Sequence, residues 1–155
     1  MDTYSIRQKW ETRTARNYGE LDEIYKIEQS VSEHPWSWKD FCNNNNQRNC
    51  FYLVALHNKN IIGFLTYEIR GKLFFIRKVA TKPDYRRRRV AACLVWKLMF
   101  DMNGRREAIC TIVRESELSA QFLFKFLGFS AKHILHNHFQ DTGEDGYIME
   151  YHLPS

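Results

Sequence analysis

The chain has 155 residues, 44% of them hydrophobic and 15% aromatic, with a formal charge of +5. That length and apolar content exclude a disordered segment and predict one globular domain over 1–155 with a real core. No apolar run approaches the roughly 20 residues of a bilayer-crossing helix. The scattered Cys42, Cys50, Cys93 and Cys110 form no C-x-x-C pair and follow no secretory signal, so structural thiols in a reducing cytoplasm are expected.

Residues 4–12 are compatible with a first strand. Residues 19–31 carry Leu21, Ile24, Tyr25 and Ile27 at helical spacing, with Asp22 and Glu23 in the first turn, where acids suit the dipole. Pro35-Trp36-Ser37 stops that segment. Ser37 is a natural N-cap for a short helix through Phe41, and the polar run 43–46 reads as a loop. Residues 50–57, 61–70 and 73–81 are rich in β-branched and aromatic side chains, separated at hairpin length by Asn58-Lys59-Asn60 and Arg70-Gly71-Lys72. Three consecutive antiparallel strands are expected there. A helix over 89–103 follows, with Gly104 as its C′ residue. Then come a buried strand over 107–114, an amphipathic helix over 118–127 stopped by Gly128, and a strand pair, 129–138 and 147–153, joined by the loop 141–146. The order β-α-α-β-β-β-α-β-α-β-β implies an α+β domain with a mixed, largely antiparallel sheet flanked by helices.

The stretch Asp84-Tyr85-Arg86-Arg87-Arg88-Arg89-Val90-Ala91-Ala92 joins the strand over 73–81 to the next helix. The first N–H groups of a helix have no partner within it, and the macrodipole adds positive charge there, so strand, short loop and helix start make an anion site. Four consecutive arginines at that point suggest a ligand carrying several phosphates. They also account for nearly all of the net charge, which explains the basic balance as well as nucleic-acid binding does. A phosphate-cradling turn usually wants glycine, and Arg89 holds the glycine position; an arginine serves there only with an ordinary φ. His133, His136 and His138 fall in the strand over 129–138, where His136 and His138 share a face. Without a third convincing ligand no metal is expected.

Several short matches stand in a fixed order. They are Ile27-Glu28-Gln29 followed by Pro35-Trp36-Ser37, the turn Arg86-Arg87-Arg88-Arg89-Val90-Ala91, the strand end Val113-Arg114, Phe126-Leu127-Gly128-Phe129, and Glu144-Asp145 before Ile148-Met149. With them the chain resembles the GCN5-related N-acetyltransferases, and within them the ribosomal-protein alanine N-acetyltransferase type, over about its whole length. The resemblance implies acetyl-CoA as cofactor. Its pyrophosphate would be wrapped by backbone N–H groups of Arg86, Arg87, Arg88, Arg89, Val90, Ala91 and Ala92. Its pantetheine arm would lie along Val79, Ala80 and Thr81 as an added strand. The fourth and fifth strands are expected to splay for the thioester, and an amine attacks the acetyl carbonyl directly while a strand N–H polarises the oxyanion. The expected acceptor is a primary amine, a protein N-terminus first and a small molecule second. No membrane and no direct nucleic-acid partner are expected, and the protein is a monomer or homodimer.

The same resemblance exposes departures. The glutamate that helps deprotonate the amine aligns with Ile112, and the tyrosine that protonates the leaving thiolate aligns with Phe124, a residue expected to line the cofactor. The asparagine near that helix start aligns with Glu117. General acid–base help is typically a term of about 10²–10⁴-fold, so its loss slows a well-positioned attack without forbidding it. Tyr147 and His138 are the candidate catalytic substitutes, with Glu115 beside them. The type's substrate-contacting Asn-Tyr-Tyr corresponds to Asn137-His138-Phe139. Trp36 and Trp38 border the expected acceptor groove, and Trp36, His138 and Phe139 are the candidate substrate contacts. Two other readings stay open. One is a catalytically weakened CoA-binding regulatory domain, drawing on Ile112, Phe124 and Arg89. The other is a basic RNA- or ribosome-binding module, drawing on the arginine run.

Overall fold

The computed structural model describes residues 10–154. In chain order the elements are β1 (Glu11–Thr14), α1 (Tyr18–Val31), α2 (Trp38–Asn45), β2 (Cys50–His57), β3 (Asn60–Arg70), β4 (Leu73–Thr81), a 3-10 turn (Pro83–Tyr85), α3 (Val90–Phe100), β5 (Ala108–Arg114), α4 (Leu118–Phe126), β6 (Ser130–Leu135) and β7 (Gly146–His152). This is the order expected from the sequence. The strands form a mixed sheet in the order β1-β2-β3-β4-β5-β7-β6. The pairs β1/β2, β2/β3, β5/β7 and β6/β7 are antiparallel, whereas β4 and β5 run parallel. The first strand, expected over 4–12, is described from Glu11 and runs on to Thr14, and residues 4–9 lie outside the described residues.

Two compact units divide the chain: the first takes the residues up to Glu68 plus Lys78–Asp101, the second Ile69–Arg77 plus the residues from Met102 on. In the first unit α1 starts at Asn17, whose side-chain oxygen accepts from the Glu20 N–H at 3.0 Å. It buries Leu21, Ile24, Ile27 and Glu28, a three-and-four spacing that lines one face. Helix α2 opens on a capping box in which Ser37 Oγ accepts from the Asp40 N–H and the Asp40 carboxylate accepts from the Ser37 N–H, each at 3.1 Å. The helix then runs through the asparagines to Asn45, where a loop was expected. Buried Asn44 donates to Thr66 Oγ1 at 3.0 Å, and that tertiary bond outweighs asparagine's poor helix propensity. Phe41, fully buried, sits among the rings of Tyr25, Trp36, Tyr52 and Phe64 at 5.5 to 6.1 Å. Its burial is worth about 2–3 kcal/mol.

Helix α3 buries Val90, Ala92, Cys93, Leu94, Val95 and Leu98, nearly all round its circumference. It ends sooner than the expected 89–103. The Asp101 N–H donates to Lys97 O at 3.1 Å and Leu98 O at 3.2 Å, closing the last turn at Phe100. Buried Met102 therefore takes the C′ position expected for Gly104.

In the second unit β4 pairs with β5 from Leu73↔Ala108 to Ile76↔Thr111, and β5 pairs with β7 as far as Arg114↔Gly146. Helix α4 stops at Phe126, with Gly128 following at φ +94°. Phe124, Phe129 and Tyr151 form a ring row at 5.0 and 5.7 Å. Strand β6 ends at Leu135, short of the expected 138. Asn137 takes φ +53° and donates its N–H to Asp145 Oδ1 at 2.9 Å, so the chain turns there and His136 and His138 share no strand face.

Candidate functional site

The first unit builds the turn between β4 and α3. Strand β3 comes close because Gly63 has no side chain: a Cβ there would lie 2.9 Å from Val90 Cγ1 and 3.0 Å from Ala80 O. The Lys82 N–H donates to Ile62 O at 2.8 Å and fixes the end of β4. Beyond the 3-10 turn, Arg87 has φ +61° and Arg89 φ +64°, ψ 25°. The expectation of an ordinary φ at Arg89 is thus overturned: the arginine adopts the left-handed conformation that glycine takes freely, at a cost of roughly 1–2 kcal/mol. Val90, locked in the core at 2% exposure, leaves the chain little choice of entry into the helix.

The first N–H to donate within α3 is that of Cys93, to Arg89 O at 3.0 Å, so the N–H groups of Val90, Ala91 and Ala92 precede it at the open helix start. The Arg89 side chain makes no cap on them. The side chains of Arg86, Arg87, Arg88 and Arg89 are all exposed. Backbone donors at a helix start, preceded by four exposed arginines, fit a diphosphate. Val79, Ala80 and Thr81 form the strand end leading into this turn, in the five residues of β4 past its last pairing with β5 at Ile76.

Trp36, a candidate substrate contact, is half-buried in the same unit. Its ring packs edge-on to Phe41 at 5.5 Å and lies 5.5 Å from Lys78 Nζ. Lys78 in turn pairs at 2.7 Å with Glu28, a carboxylate 1% exposed. Trp38 is exposed, its ring edge-on to Tyr25 at 5.1 Å.

The second unit gathers the proton-transfer candidates around Gly146. A Cβ there would lie 2.8 Å from Ile112 Cγ2, 3.2 Å from Phe139 Cε2 and 3.4 Å from His138 Cδ2. Tyr147 follows directly, half-buried and paired with Val113 and Ile134. His138 therefore lies with Ile112, the position aligned with the missing glutamate, on the face of Gly146, whereas Tyr147, paired with Val113, points to the opposite face of the sheet. Phe124 is 2% exposed, and Glu117 is the N-cap residue of α4.

The loop carrying His138 and Phe139 is held by charge. Arg114 bonds both carboxylate oxygens of Asp141 at 3.0 Å and Glu144 Oε2 at 3.2 Å, and its guanidinium lies 3.9 Å from the centre of the Phe139 ring. The Ser116 hydroxyl, at 2.6 Å, together with Thr142 and Arg114, brings the Glu144 carboxyl down to about 2. The Asn137 N–H and then His136 hold Asp145 below the usual carboxylate range. Glu115 Oε1 accepts from the Asp145 N–H at 3.1 Å, which ties this candidate base into the loop's support.

Sequence reasoning did not foresee Gly63, Gly146, the Arg114 latch as a contact, or a cluster of Trp10, His57 and Tyr85 beside the arginine turn. The latch pair had a visible signal, since Val113-Arg114 and Glu144-Asp145 both belong to the matching motifs. The other groups are joined by strand register, which short motifs do not carry.

Residues 17–129 match the model of the acetyltransferase (GNAT) family. The ribosomal protein bS18-alanine N-acetyltransferase of Escherichia coli strain K12 is 29% identical over 133 residues, covering 84% of this chain and 89% of its own length. The crystal structure of the Escherichia coli ribosomal-protein-S18-alanine N-acetyltransferase shares the fold with a TM-score of 0.84 at 24% identity, over 94% of this chain and 95% of that one. Arabidopsis thaliana NAA60 in complex with acetyl-CoA shares it with a TM-score of 0.83 at 18% identity, over 94% and 100%. With its helix start shaped for a diphosphate, the chain belongs to the GNAT family and is an N-acetyltransferase whose cosubstrate is acetyl-CoA.

Proposed function

We propose that this enzyme, a single domain over 1–155, acetylates the α-amine of a protein N-terminus in the cytoplasm. The observation that carries the reading is the corner around Gly146. The Arg114 latch holds Phe139 under its guanidinium and leaves His138 exposed beside Ile112. A fixed loop presenting an aromatic face and one polar ring suits a short peptide end better than a bulky small molecule. The activity of the Escherichia coli relative, acetylation of an alanine on a ribosomal protein, points the same way.

In this reading the N–H groups from Arg86, Arg87, Arg88, Arg89, Val90, Ala91 and Ala92 hold the diphosphate, and Val79, Ala80 and Thr81 hydrogen-bond the pantetheine arm. Phe124 forms part of the apolar wall behind the thioester, and Trp36, His138 and Phe139 meet the acceptor. The amine nitrogen bonds the acetyl carbon, the carbon–sulfur bond breaks, and the amine's surplus proton ends on the departing sulfur. His138, on the face of Ile112, is the group placed to carry that proton, and Tyr147, across the sheet, is the second candidate.

A panel of peptides with different first residues, each with its α-amine free or blocked, tests this with acetyl-CoA by mass spectrometry and thiol release. The expected result is acetyl on free α-amines only, with a preference for small first residues. Transfer confined to lysine side chains or small polyamines overturns the acceptor assignment. Tight acetyl-CoA binding without thiol release on any amine favours a regulatory role, for which the loss of proton carriers at Ile112 and Phe124 is the motive.

A further inference from the structure

We infer that Trp10 is a positioning residue for the diphosphate turn, setting the direction of the Arg89 N–H through the carbonyl of Arg88. The inference rests on reading that turn as the cosubstrate's phosphate site. Trp10 Nε1 donates to Arg88 O at 2.9 Å, across 78 residues of sequence. The Arg88 carbonyl and the Arg89 N–H belong to one planar trans peptide, in which the two groups point in opposite directions. Holding the carbonyl toward the indole therefore aims the Arg89 N–H away from it.

The strut matters because of the residue at position 89. Flipping the peptide between Arg88 and Arg89 changes ψ of the first and φ of the second by about half a turn, which would return Arg89 from φ +64° to a negative value. The flip relieves a left-handed cost of roughly 1–2 kcal/mol and swings the N–H around. One net hydrogen bond is worth about 0.5–1.5 kcal/mol, a comparable size, so the Trp10 bond is large enough to decide which orientation is populated. A glycine at 89 has no such incentive to flip.

Trp10 is itself confined. It precedes Glu11, which pairs with Leu56, so the strand register brings it to His57. Its ring stands edge-on to His57 at 5.5 Å and to Tyr85 at 5.9 Å. His57 Nδ1 and Tyr85 Oη are hydrogen-bonded at 2.8 Å, and the Arg88 guanidinium lies 5.4 Å from the centre of the Tyr85 ring. Indole, imidazole and phenol thus pack together, and the indole N–H meets the Arg88 carbonyl.

The test is a double-mutant cycle read by calorimetric titration with acetyl-CoA, using Trp10→Phe, Arg89→Gly and the pair. Phenylalanine keeps a ring and loses the donor. In the arginine background Trp10→Phe should weaken binding about threefold to tenfold, and in the Arg89→Gly background less than about twofold. S-acetylpantetheine, which lacks the diphosphate, should bind both Trp10 forms equally. Equal losses in both backgrounds, no loss at all, or the same loss with S-acetylpantetheine overturns the inference. If Trp10→Phe melts the fold, 3-benzothienylalanine at position 10, which swaps only the ring N–H for sulfur, gives the same comparison. A wild-type protein that binds no acetyl-CoA, or an Ala91→Pro variant that binds it unchanged, overturns the phosphate-site reading instead.

Discussion

Around Arg89, in the first unit, a residue type has changed while the backbone path has not: an arginine follows the left-handed course usual for glycine, and the open N–H groups of α3 keep their place. Around Ile112 and Phe124, in the second unit, the strand and helix are as regular as any in the chain, yet the two side chains cannot exchange a proton. The difference is one of construction. A site made of main-chain donors survives replacement of its side chains as long as the dihedrals can be enforced by packing. A site made of side-chain acids and bases keeps its shape and loses its chemistry.

Five measurements press on that contrast. The largest effect is expected from Phe124→Tyr, which returns a proton donor to the second unit and should raise kcat by about 10–100-fold in thiol-release assays. An unchanged rate would break the contrast by showing that Tyr147, His138 or water already does this work. Next comes Ala91→Pro, which deletes one N–H at the helix start and should weaken acetyl-CoA by about tenfold, as for a hydrogen bond to a charged group. Arg86→Ala or Arg88→Ala should cost only about twofold to threefold each and fade with added salt, because those guanidinium groups are exposed. If the arginines mattered more than the main chain, the site would not be backbone-built.

Arg89→Gly removes the left-handed cost and should stabilise the fold by about 1 kcal/mol, a rise in Tm of about 2–4 °C for a chain of this size. The smallest effect is acid sensitivity. The hydrogen bond from Arg13 holds the Glu20 carboxyl at about 2, against an ordinary 4.5, and Glu144 in the second unit is likewise near 2. Because both folded values lie below the unfolded one, their stabilisation is complete above pH 4.5 and lost as pH falls toward 2. For Glu20 the loss should be under about 1 kcal/mol once solvent screening is counted. Acid titration of the melting temperature, with Glu20→Gln flattening its share, checks it.

Much of the fold was legible because its signals are local. Ser37 and Asp40 make their capping box three residues apart, and β2, β3 and β4 are punctuated at hairpin length. Two of the misjudged boundaries share a cause. The length of α2 depends on Asn44 meeting Thr66, 22 residues away, and the end of β6 on Asn137 meeting Asp145. Neither contact leaves a trace in the neighbouring residues.

The sequence by itself determined the order of strands and helices, the arginine turn at a helix start, and the presence of Ile112 and Phe124 where the resemblance implies proton carriers. Those are matters of periodicity, capping and residue identity, read from a few adjacent positions. Only the tertiary structure decided that Arg89 keeps a left-handed backbone, that Trp10 holds the Arg88 carbonyl, and that Arg114 latches the loop bearing His138 and Phe139. Each costs or gains on the order of one to a few hydrogen bonds, and its sign depends on partners that packing brings together from distant parts of the chain.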